Sequence, residues 1–168
     1  MKHLSKPLYL LLAVAGISTH VFANTHQSTK TAWDYFVPLT VEEHGIGARP
    51  AGSDKERQAA KWIESQWQSM GYDVTVQPFE YTLRDTDFSS QNLIVDVKGK
   101  RAKTIIVGAH YDSTGDRFGS LGAIDNASGM AALFTLSARI KNKDLPYSVR
   151  LIAFGAEEVG LQGAKAYV

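Results

Sequence analysis

The sequence contains no cysteine. This excludes disulfide frameworks, cysteine-ligated zinc, iron–sulfur clusters and thiol nucleophiles, and it leaves histidine and carboxylates as the strong metal ligands. An excess of charge of one sign is also lacking, because 18 Lys and Arg oppose 17 Asp and Glu, with no basic run longer than two residues. Since nucleic-acid binding needs a basic footprint, the sequence indicates neither a DNA nor an RNA partner.

Long hydrophobic runs are rare, and the clearest one lies near the start of the chain, over residues 8–17. It is about ten residues long, too short for the roughly 20 that span a bilayer. Two lysines and a histidine precede it, and Val21 and Ala23 suit signal-peptidase cleavage. We therefore predict a cleavable signal peptide over residues 1–23, a secreted or periplasmic product and no membrane association after cleavage. The alternative is an uncleaved membrane-anchoring segment.

A capping-box pattern marks the start of the first clear helix. Ser53 can accept a hydrogen bond from the amide of Glu56, and the Glu56 carboxylate can reach back to the amide of Ser53. Apolar residues then recur every three or four positions, and Gly71 follows where a left-handed cap is favoured. We predict an amphipathic helix over residues 54–70 whose tryptophans pack in the core rather than line a ligand site.

Three apolar or alternating segments predict strands, at residues 74–81, 93–97 and 104–109. The third, Thr-Ile-Ile-Val-Gly-Ala, is a continuous apolar run, so we expect a central strand that is buried on both faces. A helix is predicted over 127–141 and another buried strand over 149–154. This strand–helix–strand unit indicates a right-handed crossover in an α/β sandwich, where ligands collect at the carboxyl ends of the strands.

Candidate metal ligands follow these elements. His110 and Asp112 come at the end of the third strand, Asp125 precedes the crossover helix, and Glu157 and Glu158 follow the next strand. Singly, each has an ordinary explanation as a hydrogen-bonded histidine, a helix cap or a solvent-facing acidic pair. Because all fall at one edge of the sheet, and because zinc accepts imidazole and carboxylate ligands, together they indicate a metal site.

Four short segments carry a resemblance to a known family. They are Arg-Pro-Ala-Gly-Ser at 49–53, Gly-Ala-His-Tyr-Asp-Ser at 108–113, Ile-Asp-Asn-Ala-Ser-Gly at 124–129 and Phe-Gly-Ala-Glu-Glu-Val-Gly-Leu-Gln-Gly-Ala at 154–164. In this order they resemble the motifs of metallopeptidase family 28, the co-catalytic di-zinc exopeptidases, from about residue 40 onward. The resemblance implies a three-layer α/β/α sandwich with a mixed, mostly parallel sheet, the phosphorylase/hydrolase-like zinc exopeptidase fold.

The resemblance also implies a role for each candidate residue. According to the resemblance, His110 binds one of two zinc ions and Asp125 bridges both. Glu158 binds the second ion, and Glu157 is the general base. Asp112 is implied to accept a hydrogen bond from the imidazole of His110, which fixes its tautomer. The implied activity is that of a secreted metallo-aminopeptidase acting on the amino termini of peptides or proteins. The same resemblance implies a cis peptide bond after Asp125.

One departure from the family pattern concerns the carboxyl-terminal end. The family has a further aspartate ligand and a further histidine ligand well downstream, and neither has a counterpart before Val168. Residues 24–168 are therefore expected to be the amino-terminal part of a zinc peptidase domain, truncated and inactive by itself. Two alternatives stay open, a glutaminyl-cyclase-like acyltransferase that uses one zinc ion and a non-catalytic remnant. The oligomeric state and the preferred substrate side chain stay open as well.

Overall fold

The computed structural model describes residues 30–115 and 120–168, so the predicted signal peptide at 1–23 lies outside the described residues. The helices within them are α1 (Ala32–Thr40), α2 (Asp54–Ser69), α3 (Gly129–Ile140) and α4 (Gln162–Tyr167). The strands are β1 (Thr75–Leu83), β2 (Thr86–Val97), β3 (Arg101–His110) and β4 (Tyr147–Phe154). An irregular helical turn, Ala123–Ser128, leads into α3. No helix in these two ranges is long and apolar enough to cross a bilayer.

The described strands form one sheet in the order β1-β2-β4-β3. β1 pairs with β2, and β2 with β4, in antiparallel orientation, whereas β3 and β4 are parallel. Arg84 and Asp85 join β1 to β2 with φ values of 49° and 63°, the left-handed conformation that a tight hairpin turn requires. Helices flank this mixed sheet, which confirms the predicted α/β fold class. Its parallel part, among the described strands, is the β3–β4 pair.

Side-chain alternation along the sheet places helices on both of its faces. On one face, Leu93 of β2 and Leu151 of β4 lie in the same buried cluster as Phe134 of α3 and residues of α1 and α2. On the other face, the Asn92 amide donates to the carbonyl of Gly163 in α4 at 2.8 Å. Successive residues of a strand point to opposite faces, so Leu93 and Asn92 mark the two layers of helix that enclose the sheet.

The helix predicted over residues 54–70 is confirmed. Ser53 Oγ accepts from the Glu56 amide at 3.1 Å, as a helix cap should. Trp67 is fully buried and packs on the ring of Phe134, in the core as expected. The Glu56 side chain differs from the predicted capping box, because it accepts from the amide of Gly52 rather than of Ser53.

The prediction of a central, doubly buried third strand is wrong for the described sheet. β3 lies at its edge and pairs there with β4 alone, and Ile105 and Ile106 are 51% and 52% exposed. β4 takes the inner position instead, with β2 on one side and β3 on the other, and its Leu151–Ala153 segment is fully buried. The continuous apolar runs therefore predicted the two parallel strands correctly. They did not predict which of the two is central, because that depends on strand pairing, which the periodicity of a single strand does not encode.

Candidate metal site

Three segments meet at the carboxyl edge of the β3–β4 pair. His110 ends β3 opposite Phe154, the last residue of the parallel strand β4, so the residues that follow β4 emerge beside the imidazole. The turn before α3 brings in Asp125, whose Oδ1 lies 2.9 Å from His110 Nε2. Glu157 approaches from the third segment, with Oε2 3.8 Å from the same nitrogen. The predicted convergence at one edge of the sheet is thus present in the structure.

A compact set of potential metal ligands lies at this edge. His110, Glu157 and Glu158 each offer a ligand atom, and these atoms all lie within 4.8 Å of one another. His110 is buried and the two glutamates are half-buried. Asp125 contacts His110 from outside this set, and its side chain is 73% exposed. One imidazole nitrogen with several carboxylate oxygens is a donor set that zinc accepts, so the residues present fit that ion.

The acidic surroundings favour a positive charge at His110. Burial alone lowers the pKa of His110, but the neighbouring carboxylates of Asp112, Asp125 and Glu157 outweigh it and raise the pKa to about 9. Burial, together with the neighbouring Asp125 carboxylate, raises the pKa of Glu158. Crowded carboxylates disfavour one another's ionised forms, and a divalent cation between them would relieve that repulsion.

Asp112 is a fully buried carboxylate that holds the backbone of the glutamate pair. Its Oδ1 accepts from the Glu157 amide and its Oδ2 from the Glu158 amide, each at 3.0 Å. The imidazole is further away, with His110 Nδ1 3.4 Å from Oδ1, and this buried nitrogen has no close hydrogen-bond partner among the described residues. Asp112 therefore touches both halves of the site, and its role toward the imidazole stays a prediction.

The segment that carries Asp125 is held in place by Arg49. This arginine is fully buried, and its guanidinium donates to five backbone carbonyls. They belong to Leu39, Gly47, Tyr111, Leu121 and Gly122. The last two carbonyls lie just before the turn at Ala123–Ser128, in which the peptide bond after Asp125 is cis, as the family resemblance implied. Arg49 lies within the first of the family motifs, at residues 49–53, but the motif by itself predicts no role for it.

Comparison with known proteins assigns this segment to a family. Residues 92–168, which contain β3, α3, β4 and all the candidate site residues, match the profile of peptidase family M28. Relatives by sequence include aminopeptidases, and similar folds include zinc aminopeptidases. Residues 92–168 of this chain belong to peptidase family M28.

Two relatives show the extent of the similarity. The chain is 33% identical over 137 residues to the alkaline phosphatase isozyme conversion protein of Escherichia coli K12, covering 70% of this chain and 40% of that protein. It is 41% identical over 86 residues to aminopeptidase YwaD of Bacillus subtilis, covering 49% of this chain and 18% of that protein. The chain thus spans less than half the length of either relative.

Solved structures share the fold at lower identity. A zinc aminopeptidase from Bacillus subtilis matches with a TM-score of 0.69 and 19% identity, over 81% of this chain and 63% of that chain. A glutaminyl cyclase from Porphyromonas gingivalis matches with a TM-score of 0.66 and 21% identity, over 82% and 52%. At such identities the likeness establishes the fold alone, so the choice between these activities depends on the site.

Proposed function

We propose that residues 24–168 are the amino-terminal part of a secreted zinc aminopeptidase that cleaves amino-terminal residues from peptides or proteins. The observation that carries the proposal is the cluster of His110, Glu157 and Glu158 within 4.8 Å, with Asp125 against the imidazole. All four residues lie in the segment that belongs to a peptidase family. Export through the signal peptide at residues 1–23 is part of the same proposal.

The metal ligands proposed are His110, Asp125 and Glu158, for two zinc ions. His110 and Asp125 would hold one ion, and Asp125 and Glu158 the other, with the Asp125 carboxylate shared between them. The 2.9 Å separation of Asp125 Oδ1 from His110 Nε2 supports a common ligand position for this pair. When bound, zinc ions lower the pKa of a water molecule and polarise the carbonyl under attack.

Glu157 is proposed as the general base. Its carboxylate lies beside the proposed ligands, and its Oε2 is 3.8 Å from the imidazole nitrogen that would face the metal. From there it can accept the proton of the attacking water and return it to the departing amine. Asp112 accepts hydrogen bonds from the amides of Glu157 and Glu158 and so fixes the backbone from which both carboxylates extend.

These residues supply two protein ligands to each zinc ion, whereas catalytic zinc usually has three. We therefore propose that the chain of 168 residues, tested by itself, binds zinc weakly and shows no measurable turnover. The alternative activity is that of a glutaminyl-cyclase-like enzyme. It can be distinguished from an aminopeptidase because the two reactions consume different substrates.

The experiment compares two proteins. One is the chain of residues 24–168, and the other is a version extended through the reading frame downstream of residue 168, which we call the product of the complete reading frame. Both are treated with zinc and assayed on aminoacyl p-nitroanilides and on a peptide with amino-terminal glutamine. We expect chelator-sensitive nitroaniline release by the complete product, no cyclisation of the glutamine, and loss of release in its Glu157→Gln variant. Cyclisation without amide hydrolysis would refute the aminopeptidase proposal, and robust turnover by residues 24–168 alone would refute the expected inactivity.

A further inference from the structure

Four consecutive backbone amides, those of residues 155–158, donate to buried side chains. The acceptors are Asn92 Oδ1 for Gly155 at 3.3 Å, Glu56 Oε1 for Ala156 at 2.9 Å, and the two Asp112 oxygens for Glu157 and Glu158 at 3.0 Å. These acceptors come from β2, from α2 and from the segment after β3. The backbone from which the glutamate pair extends is therefore fixed from three sides.

Glu56 is a buried carboxyl group that the proposed mechanism does not use. It is 1% exposed, and three donors surround its carboxylate. Oε2 accepts from the Gly52 amide at 2.6 Å, while Oε1 accepts from Ser90 Oγ at 2.7 Å as well as from Ala156. A buried carboxylate persists when its oxygens are hydrogen-bonded in this way. The Ala156 bond links the start of α2 directly to the site, across 100 residues of sequence.

Ala156 has a backbone conformation that needs such support. Its φ is +50°, in the left-handed region that residues with a Cβ rarely adopt. Ala156 immediately precedes Glu157, so a return to ordinary backbone angles would redirect both glutamate side chains. Asp112 holds the amides of Glu157 and Glu158 but makes no bond to Ala156, for which Glu56 is the side-chain partner.

We propose that Glu56 is a positioning residue for Glu157: by accepting the Ala156 amide, it keeps Ala156 left-handed and so aims the Glu157 carboxylate at the metal site. The inference rests on the proposed function for the role of Glu157 as base. Replacement of Glu56 by Met keeps a side chain of similar length but removes both acceptor oxygens, so the Ala156 amide loses its side-chain partner.

The first test measures the position of Ala156 without reference to activity. Amide hydrogen exchange is followed by NMR in Glu56→Met at about pH 8.5, because burial raises the pKa of Glu56 to about 7 and the parent carboxylate is then ionised. We expect Ala156 to exchange at least about tenfold faster, with the Asp112-bonded amides changed by less than about threefold. Ile63→Val, a change at a fully buried position of the same helix, is the matched control and should not single out Ala156. Unchanged Ala156 exchange in Glu56→Met overturns the proposal.

The second test measures catalysis in the product of the complete reading frame. Glu56→Met should lower kcat by about 10–100-fold, with KM within about threefold and zinc content unchanged, since a misplaced base affects the chemical step. Adding Ala156→Gly should restore part of kcat, because glycine adopts positive φ readily. Parental kcat in Glu56→Met, or no recovery in the double variant, overturns the proposal. If the parent has no aminopeptidase turnover, the proposed function fails, and the exchange rates alone still decide whether Glu56 holds Ala156.

Discussion

The metal-free protein should lose stability as the pH rises through the titration of His110. In the folded chain the pKa of His110 is raised to about 9, because the carboxylates around it outweigh the effect of burial. In the unfolded chain the imidazole has its ordinary pKa near 6.5. The folded state therefore binds the proton more tightly, so this contribution is fully present below about pH 6.5 and is lost as the pH rises through about 9.

The size of this effect follows from the shift. Each pKa unit corresponds to about 1.4 kcal/mol, so the full shift would amount to about 3 kcal/mol. One of the partners, Asp125, has a side chain that is 73% exposed, and solvent weakens its interaction with His110. We therefore expect about 2 kcal/mol of the free energy of unfolding to disappear between about pH 6 and pH 10.

Urea denaturation of chelator-treated protein at several pH values measures this loss. His110→Asn should remove about 2 kcal/mol of pH dependence, whereas His44→Asn, at an exposed position, should leave it parental. Zinc should stabilise the parent more at high than at low pH, because metal and proton compete for the imidazole. Equal pH dependence in the parent and in His110→Asn would show that the carboxylates do not hold the imidazole in its charged form.

Three further predictions concern individual side chains. In the product of the complete reading frame, Glu157→Gln should lower turnover by about 10²–10⁴-fold at near-parental zinc content, and Glu158→Gln should lose zinc; near-parental turnover in the first would refute the general-base role. His110→Ala should abolish tight zinc binding, and Asp112→Asn should weaken it about 10–100-fold in a chelator competition; retention of two tightly bound ions by His110→Ala would contradict the ligand assignment. Arg49→Lys should cost about 3 kcal/mol or more in urea denaturation, because one ammonium group cannot reach five carbonyls; a loss below about 1 kcal/mol would mean that other donors serve them.

The proximity of the candidate site residues could be predicted from the sequence because these residues lie at the ends of regular elements. His110 closes a strand whose apolar run is readable, and the parallel pairing of β3 with β4 then brings the residues after both strands to one edge. The order of strands was not readable in the same way. Ile105 and Ile106 have the composition of buried residues but lie at the edge of the described sheet, since pairing partners are chosen by the chain as a whole.

Glu56 shows a second limit of local pattern. Ser53 and Glu56 have the spacing of a capping box, and the helix does begin there, yet the Glu56 carboxylate turns inward to Ser90 and Ala156. The capping-box pattern concerns only the residues within three positions of the helix cap. It carries no information about a partner 100 residues away, so the same signature fits a surface cap and a buried link to the site.

The parts of the chain that hold the site extend beyond the part that matches the family profile. That match begins at residue 92, whereas Arg49 and Glu56 lie well before it. Arg49 fixes the carbonyls of residues 121 and 122, ahead of Asp125, and Glu56 fixes the amide of residue 156, ahead of the glutamate pair. Both act on the backbone through fully buried side chains, and neither is a proposed metal ligand. The proposed ligands therefore come from the matched segment, while we expect their directions to depend on the helix and loops that precede it.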